Sequence, residues 1–472
     1  MSKSEWKLIY SNYGGMEKKA VDLISAEAEN YLNYPLPCEK SDRWEECNTI
    51  VVGSYRESGF IRQFIKSPEL PPQGYVVKVI DHPCLPEAKL ALITGETDRE
   101  VFYGAVDFVD DYFAASVPFH INLPRPARLL QEEMPDYYHA SATKIKKRSV
   151  FTWGHPIKDY QDYIQNMARL KLNQLILWND YAPVNLKEVV DFAHSYGIEV
   201  FFGYSWGWGQ NGSATTVDIS NPEALTAWKD AALKKYEEEY AETGGDGIYF
   251  QTFTESFDAH KNGLLIAECV EKWVNTISSA FFKKYPALQI QFGLHATSVK
   301  DHLNYIAKID PRLDIIWEDC GAFPYHYRPQ NIEGFEAAER FTSTIASLRK
   351  DAPFGVLLKG QNTLDWTCFE HQRGPFIMGK SPKAALERDL ASLKPVWHIL
   401  QSEWIRYGSY AQKLIRQLAE LTEGNVTIGT CGMFSGGIWF PQALCAQLMW
   451  DYQGDYGEIV NRVAKRQSVI LS

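Results

Sequence analysis

From Arg148 onward, short apolar runs alternate with longer segments of helical periodicity, eight times in succession. Strands that alternate with helices through short connections are typical of a parallel sheet with crossover helices. The predicted strands span residues 149–153, 174–178, 199–204, 247–252, 289–294, 313–317, 355–359 and 426–430. The helices that follow them are predicted at 160–172, 186–196, 222–242, 264–285, 299–309, 334–349, 382–421 and 441–450. Because eight such units close a barrel, we predict a (β/α)8 TIM barrel over residues 148–472.

An open, doubly wound sheet is the alternative arrangement of the same elements. Such sheets usually carry a glycine-rich, phosphate-binding turn after the first strand. Here that position holds residues 152–156, which read Thr-Trp-Gly-His-Pro and offer no phosphate cradle. The barrel is therefore the favoured prediction.

A small α/β accessory domain is predicted for residues 1–130. Helical periodicity covers residues 15–31, and short apolar or alternating runs at 49–53, 75–80 and 90–95 indicate strands. Thr97 then precedes a second helical segment, with Glu100 at the capping-box position. Residues 122–147 contain three prolines and no clear period, so we predict a linker there.

The charge and composition of the chain limit the kinds of partner that it is expected to bind. Its formal net charge is −11 and its lysines are dispersed, whereas nucleic-acid binding requires clustered basic residues. No apolar run of about 18 residues is present, so no membrane span is expected. The N-terminus lacks the apolar region of a secretory signal, and none of the eight cysteines forms a C-x-x-C pair. The histidines lack metal-ligand spacing. We therefore expect a cytoplasmic protein with reduced thiols and no metal or other cofactor; a homo-oligomer is compatible with the sequence.

The residues at the predicted strand ends are the candidates for function, because active sites of (β/α)8 barrels lie at the carboxyl ends of the strands. Tryptophans there can stack on sugar rings, and amide, acidic and basic side chains can bind hydroxyl or carboxylate groups. The predicted substrate-binding residues are Trp153, Asp180, Trp206, Trp208, His295, Lys359, Asn362, Asp365 and Trp439. This inventory predicts an oligosaccharide or glycoside as the partner.

Three acidic residues are the candidates for catalysis: Glu255 after the fourth strand, and Glu318 and Asp319 after the sixth. Glycosidases need one carboxyl group to protonate the leaving oxygen and a second to act as nucleophile or to activate water. Two neighbouring carboxylates also shift each other's pKa, which can keep one of them protonated near neutral pH. The structural alternatives are a helix-start carboxylate for Glu255, and for one of the other two an ion pair with a cation such as Arg328.

Two segments resemble known glycoside hydrolases. The segment from Leu92 to Val109, with Gly95, Tyr103 and Gly104, resembles the end of the α/β domain that precedes the barrel in family 67 α-glucuronidases and family 20 hexosaminidases. Residues 246–255, which read Asp-Gly-Ile-Tyr-Phe-Gln-Thr-Phe-Thr-Glu, resemble the strand-4 segment that delivers a catalytic acid in those families.

This resemblance implies a role for each acid. Glu255 would be the general acid, and Glu318 or Asp319 the base that activates water, with inversion of configuration. A uronic acid substrate would also need a cation, for which Lys359 and Arg373 are candidates. Hexosaminidases have an Asp-Glu pair where this chain has Thr254-Glu255, so the α-glucuronidase-like arrangement fits better.

Other functions stay open on the sequence alone. A barrel that binds carbohydrate without hydrolysing it would share the tryptophans but would not need Glu255. A retaining, hexosaminidase-like glycosidase is a second alternative, and an aldolase that uses Lys359 as its Schiff-base lysine is a third. The sugar, the linkage, the anomer and the choice between exo and endo action are open as well.

Overall fold

The computed structural model describes residues 5–32, 34–113, 135–152, 157–205, 218, 221–256, 258–295, 298–318, 334–349, 351–359, 374–379, 381–431, 437–467, 469 and 471. The chain forms two compact units. The first comprises Met1–Thr143, Ser195–Gly197 and Asn461–Ser472, and the second comprises Lys144–His194 and Ile198–Val460. Residues Asn461–Ser472, which fall inside the range predicted for the barrel domain, thus belong to the first unit.

The first unit contains a mixed six-stranded sheet with the strand order β2-β1-β3-β5-β4-β6. The strands are β1 (Trp6–Tyr10), β2 (Cys38–Lys40), β3 (Asn48–Val52), β4 (Gly74–His82), β5 (Leu85–Gly95) and β6 (Tyr137–Ala142). The helices are α1 (Gly15–Leu32), α2 (Ile61–Phe64) and α3 (Asp98–Asp107). Strands β1, β2, β3 and β5 run parallel, whereas β4 is antiparallel to both of its neighbours.

Local interactions at the start of α3 follow the sequence prediction. The backbone N–H of Thr97 donates to Glu100 Oε2 at 3.0 Å, as a capping box requires. Gly95 lies directly against this turn, and a Cβ at that position would stand 2.5 Å from the backbone of Glu100. The glycine is therefore needed for close packing of the helix start on the end of β5.

A buried ion cluster ties the C-terminal residues into the first unit. The Arg466 guanidinium donates to Asp107 Oδ1 at 3.1 Å and to Asp111 Oδ1 at 2.7 Å. Asp107 also accepts a short hydrogen bond from the hydroxyl of Tyr75 and is buried. Since a buried carboxylate is stable only when it is paired, these contacts explain why the C-terminal residues pack here.

The second unit is a closed barrel of eight parallel strands, which confirms the predicted fold. In barrel order the strands are β7 (Lys147–Phe151), β8 (Gln174–Trp178), β9 (Glu199–Ser205), β10 (Gly247–Gln251), β13 (Gln289–Leu294), β14 (Asp314–Trp317), β15 (Phe354–Leu358) and β16 (Val426–Cys431). A small hairpin, β11 (His260–Lys261) and β12 (Leu264–Leu265), follows β10. The remaining helices are α4 (Tyr160–Arg169), α5 (Leu186–His194), α6 (Pro222–Glu239), α7 (Ile266–Lys284), α8 (Leu303–Ile306), α9 (Gly334–Ala346), α10 (Lys383–Leu421), α11 (Phe440–Trp450) and α12 (Tyr456–Arg466).

Side chains fill the barrel interior in layers, as alternation along each strand requires. The lower layer is polar and hydrogen-bonded: Gln291 Nε2 donates to Asp314 Oδ2 at 3.1 Å, and Thr427 Oγ1 donates to the same oxygen at 2.7 Å. The apolar core above it consists of Phe151, Ile176, Phe201, Tyr249, Ile316, Leu357 and Cys431. Two residues further along the strands, the interior becomes polar again, and the candidate site begins there.

Within the described part of the chain, no helix combines the length and the apolar character that crossing a bilayer would require.

Candidate functional site

The centre of the candidate site is Glu318, the residue after β14, whose side chain has no exposed surface. Its Oε1 accepts hydrogen bonds from Gln251 Nε2 at 2.5 Å and from the hydroxyl of Tyr249. Its Oε2 lies 3.2 Å from Lys359 Nζ and 3.2 Å from His295 Nε2. Both carboxylate oxygens are thus engaged by residues that come from three other strands.

The environment of Glu318 fixes its charge. Burial alone would raise the pKa of this carboxyl group, but the electrostatic interactions with His295 and Lys359 and the hydrogen bond from Tyr249 outweigh that effect. The result is a pKa lowered from 4.5 to about 2. Glu318 is therefore ionised at any physiological pH. It is a source of fixed negative charge and cannot donate a proton there.

A glycine on the intervening strand makes this cluster sterically feasible. Gly293 lies on β13, between β10 and β14. A Cβ at this position would stand 2.1 Å from Tyr249 Oη and 2.3 Å from Glu318 Oε1. Any side chain at residue 293 would therefore displace the hydrogen bond between Tyr249 and Glu318.

The segment after β10 carries the predicted general acid. A short 3-10 helix, Phe253–Glu255, begins directly beyond the strand. The buried hydroxyl of Thr254 accepts a hydrogen bond from the His295 backbone N–H at 3.2 Å, and the Ser298 hydroxyl donates to the Thr254 carbonyl at 2.9 Å. These contacts hold the backbone at Glu255 beside the cluster, while the Glu255 side chain lies outside the described part of the structure.

The structure brings three of the predicted site residues together, namely Glu318, His295 and Lys359. Asp180 is partly exposed after β8. Trp439 is partly exposed before α11, with its ring centroid 3.8 Å from that of Trp397 in an edge-on contact. The other predicted residues lie outside the described residues: Asp319, Trp153, Trp206, Trp208, Asn362, Asp365, Arg373 and Arg328.

Four residues of this region were not among the predicted site residues: Trp178, Tyr249, Gln251 and Gly293. Their signal is the two-residue period of the strands, since Trp178 and Gln251 each follow a core residue by two positions. Tyr249 and Gly293 could not be found in this way, because their importance depends on contacts between strands.

Among the described residues, no group of three or more His, Cys, Asp and Glu side chains could hold a metal ion.

No protein-family model matches the sequence, and no curated protein matches it either. Several solved structures share the fold. A GH138 enzyme that targets pectin rhamnogalacturonan II is 11% identical, with a TM-score of 0.53 over 96% of this chain and 65% of that chain. A GH115 4-O-methyl-α-glucuronidase with specificity for decorated arabinogalactans is 13% identical, with a TM-score of 0.51 over 98% and 59%. A mutant β-hexosaminidase of Streptomyces plicatus, in complex with its product GlcNAc, is 11% identical, with a TM-score of 0.54 over 97% and 89%.

These comparisons establish the architecture. The chain is similar in fold to glycoside hydrolases that combine an α/β region with a (β/α)8 barrel. It spans about 65% and 59% of the length of the first two of these structures.

Proposed function

We propose that this chain is a glycoside hydrolase whose active site lies at the carboxyl ends of the barrel strands. The observation that carries the proposal is the cluster around Glu318, a fixed carboxylate with cationic and amide partners, beside the strand end that bears Glu255. Charge and donors gathered at this end of a barrel are typical of catalysis. The fold shared with glycoside hydrolases agrees with this assignment.

The charge of Glu318 separates the roles of the acids. A general acid must be protonated near the working pH, and a carboxyl with a pKa of about 2 is not. We therefore assign the general acid to Glu255. Both Glu318 oxygens are engaged and buried, so we assign activation of water to the next residue, Asp319, and give Glu318 the role of holding Lys359 and His295 in place.

The finer proposal is an inverting, α-glucuronidase-like reaction. Inversion requires the acid and the base to stand about 6.5–9.5 Å apart, with room for a water molecule between sugar and base. Lys359 keeps 17% of its side chain exposed while it contacts Glu318. An ammonium group has three donors, so Lys359 can bind Glu318 and the carboxylate of a uronic acid together.

The hexosaminidase-like alternative is disfavoured by Thr254. Its hydroxyl is buried and engaged with the backbone of His295. A threonine has no carboxylate, so residue 254 cannot orient an acetamido group as substrate-assisted cleavage requires.

The test is a screen of nitrophenyl glycosides and glycuronides with four proteins: wild type, Glu255→Gln, Asp319→Asn and, as a matched control, Glu223→Gln. Glu223 is an exposed acid in the first turn of α6 and is not among the residues assigned to the site. Loss of a general acid or base should lower kcat about 10²–10⁴-fold, and the control should be unchanged.

The stereochemistry and the substrate class are checked separately. NMR of the first-formed anomer should show inversion, and Lys359→Gln should raise KM for a glucuronide while leaving the matching glucoside unaffected. Binding of sugars without turnover, or full activity of Glu255→Gln, would reject the hydrolase and leave a carbohydrate-binding barrel.

A further inference from the structure

Trp178 occupies the top interior layer of the barrel. It ends β8 and follows the buried core residue Ile176 by two positions, so both side chains face the barrel axis. Its ring lies edge-on to Tyr249, with the centroids 5.9 Å apart, and its backbone N–H donates to Thr152 Oγ1 at 3.0 Å. The indole is therefore held in place from below and along its own strand.

A glycine on the neighbouring strand makes room for this ring. Gly203 pairs with Trp178 in the register of β8 and β9. A Cβ at residue 203 would stand 2.6 Å from Trp178 Cε3. The contact between the indole and the β9 backbone is thus possible only with glycine at residue 203.

The exposed part of Trp178 must face the mouth of the barrel. Trp178 is partly exposed, whereas Phe151, Ile176, Phe201 and Tyr249 in the layer below are at most 1% exposed. Solvent therefore cannot reach the indole from beneath. What remains is an apolar aromatic surface in the same layer as Gln251, Glu318 and Lys359.

We propose that Trp178 forms the floor of a sugar-binding subsite at the end of β8, in which the C–H face of a pyranose ring lies on the indole. A pyranose is the occupant that fits, because it combines an apolar face with a rim of hydroxyls, and the site pairs an indole with amide, carboxylate and ammonium groups. The proposal rests on the proposed function for the class of ligand, but it concerns binding and does not require turnover.

The first test uses the wild-type protein with glucose, glucuronic acid and N-acetylglucosamine as probes. N-bromosuccinimide oxidation of tryptophans is mapped by peptide mass spectrometry with and without each sugar. At least one sugar should protect Trp178, while Trp44, an exposed tryptophan of the first unit, should be oxidised equally in both samples. Protection absent at saturating sugar, as judged by calorimetry, would overturn the proposal.

The second test compares variants by calorimetry with the sugar that binds. Trp178→Leu should raise Kd about tenfold, whereas Trp44→Leu should leave Kd unchanged. Circular dichroism checks the fold of each variant, and Trp178→Phe serves if the leucine variant fails to fold; it should retain part of the affinity.

The two hypotheses can fail separately. Sugar binding that depends on Trp178 without any glycoside hydrolysis would reject the proposed function and keep the subsite. Hydrolysis that depends on Glu255 but is insensitive to Trp178→Leu would do the reverse. Failure of every sugar to bind or to be hydrolysed would overturn both.

Discussion

Replacing Glu318 with Gln tests whether the charge of this residue organises the barrel mouth. The side chain keeps its size, so the space beside Gly293 stays filled. One end of the amide must now be an NH2 group, which faces either the donors Tyr249 and Gln251 or the ammonium of Lys359. Toward Lys359 the NH2 group opposes another donor, and toward Tyr249 and Gln251 it forces both of these side chains to present an acceptor instead of the donors that bind Glu318.

The expected cost can be worked out in two ways. Removing one member of a buried ion pair costs about 3–5 kcal/mol, and the partial exposure of Lys359 places this case at the lower end. The fall in the pKa of Glu318 from 4.5 to about 2 corresponds to roughly 3 kcal/mol in favour of its ionised form. We therefore expect Glu318→Gln to lower the free energy of unfolding by about 3 kcal/mol.

The assay is equilibrium urea unfolding at pH 7 of the wild type, Glu318→Gln, Lys359→Met and the double variant. The double variant should be at least about 1 kcal/mol more stable than the sum of the single losses predicts, because it leaves no unpaired charge. Asp191→Asn is the matched control. Its partner Lys187 lies 3.1 Å away, but both side chains are exposed, so the loss should be within about 0.5 kcal/mol.

The lowered pKa of Glu318 sets the direction in which its contribution to stability changes with pH. The folded-state pKa of Glu318 lies below its unfolded value, so its contribution is complete above pH 4.5 and is lost as the pH falls toward 2. A difference between wild type and Glu318→Gln that shrinks between pH 7 and 5, or zero coupling with Lys359, would refute this reasoning.

Three further changes probe the same packing arguments. Gly293→Ala should lower the free energy of unfolding by about 1–3 kcal/mol in urea unfolding, because its Cβ would collide with Tyr249 and Glu318. The control Gly374→Ala should be neutral, because nothing lies near its Cβ. Equal losses in the two variants would contradict this reasoning. Tyr249→Phe should cost about 1.5–3 kcal/mol through loss of a hydrogen bond to a charged group, and should cost much less in a Glu318→Gln background. Arg466→Met should destabilise the first unit by about 3–5 kcal/mol, measured as faster hydrogen exchange in β4 and α3; unchanged exchange there would count against the buried ion cluster.

The sequence predicts the barrel well because its strands are short apolar runs of regular spacing. β8 and β13 match the predicted residues, and the other barrel strands deviate by one or two residues at their ends. The prediction is poorer for elements that bury only one face. β6, a half-exposed edge strand with Ser, Ala and His, falls inside the region predicted to be a linker. Helix α8 is only Leu303–Ile306, although periodicity predicts residues 299–309.

At the candidate site, the sequence predicts where the side chains lie along the strands but not which groups surround them. Glu318, His295 and Lys359 can be placed at strand ends from the sequence alone, because the strand ends are visible there. Whether Glu318 acts as an acid, a base or a buried anchor depends on which side chains surround it. That is decided by the stagger of the strands around the barrel, which a linear pattern does not contain.

The hydrogen bond between Tyr249 and Glu318 shows why. Tyr249 lies on β10 and Glu318 follows β14, and these strands are not neighbours, since β13 runs between them. The two side chains meet only because β13 presents Gly293 at the crossing point. Three separated positions therefore have to agree: a donor, a carboxylate and the absence of a side chain between them. Each is unremarkable alone, and together they turn an acid at a barrel mouth into a fixed charge. The proton needed for bond cleavage must then come from another carboxyl group, and the strand that bears Tyr249 and Gln251 leads within four residues to Glu255.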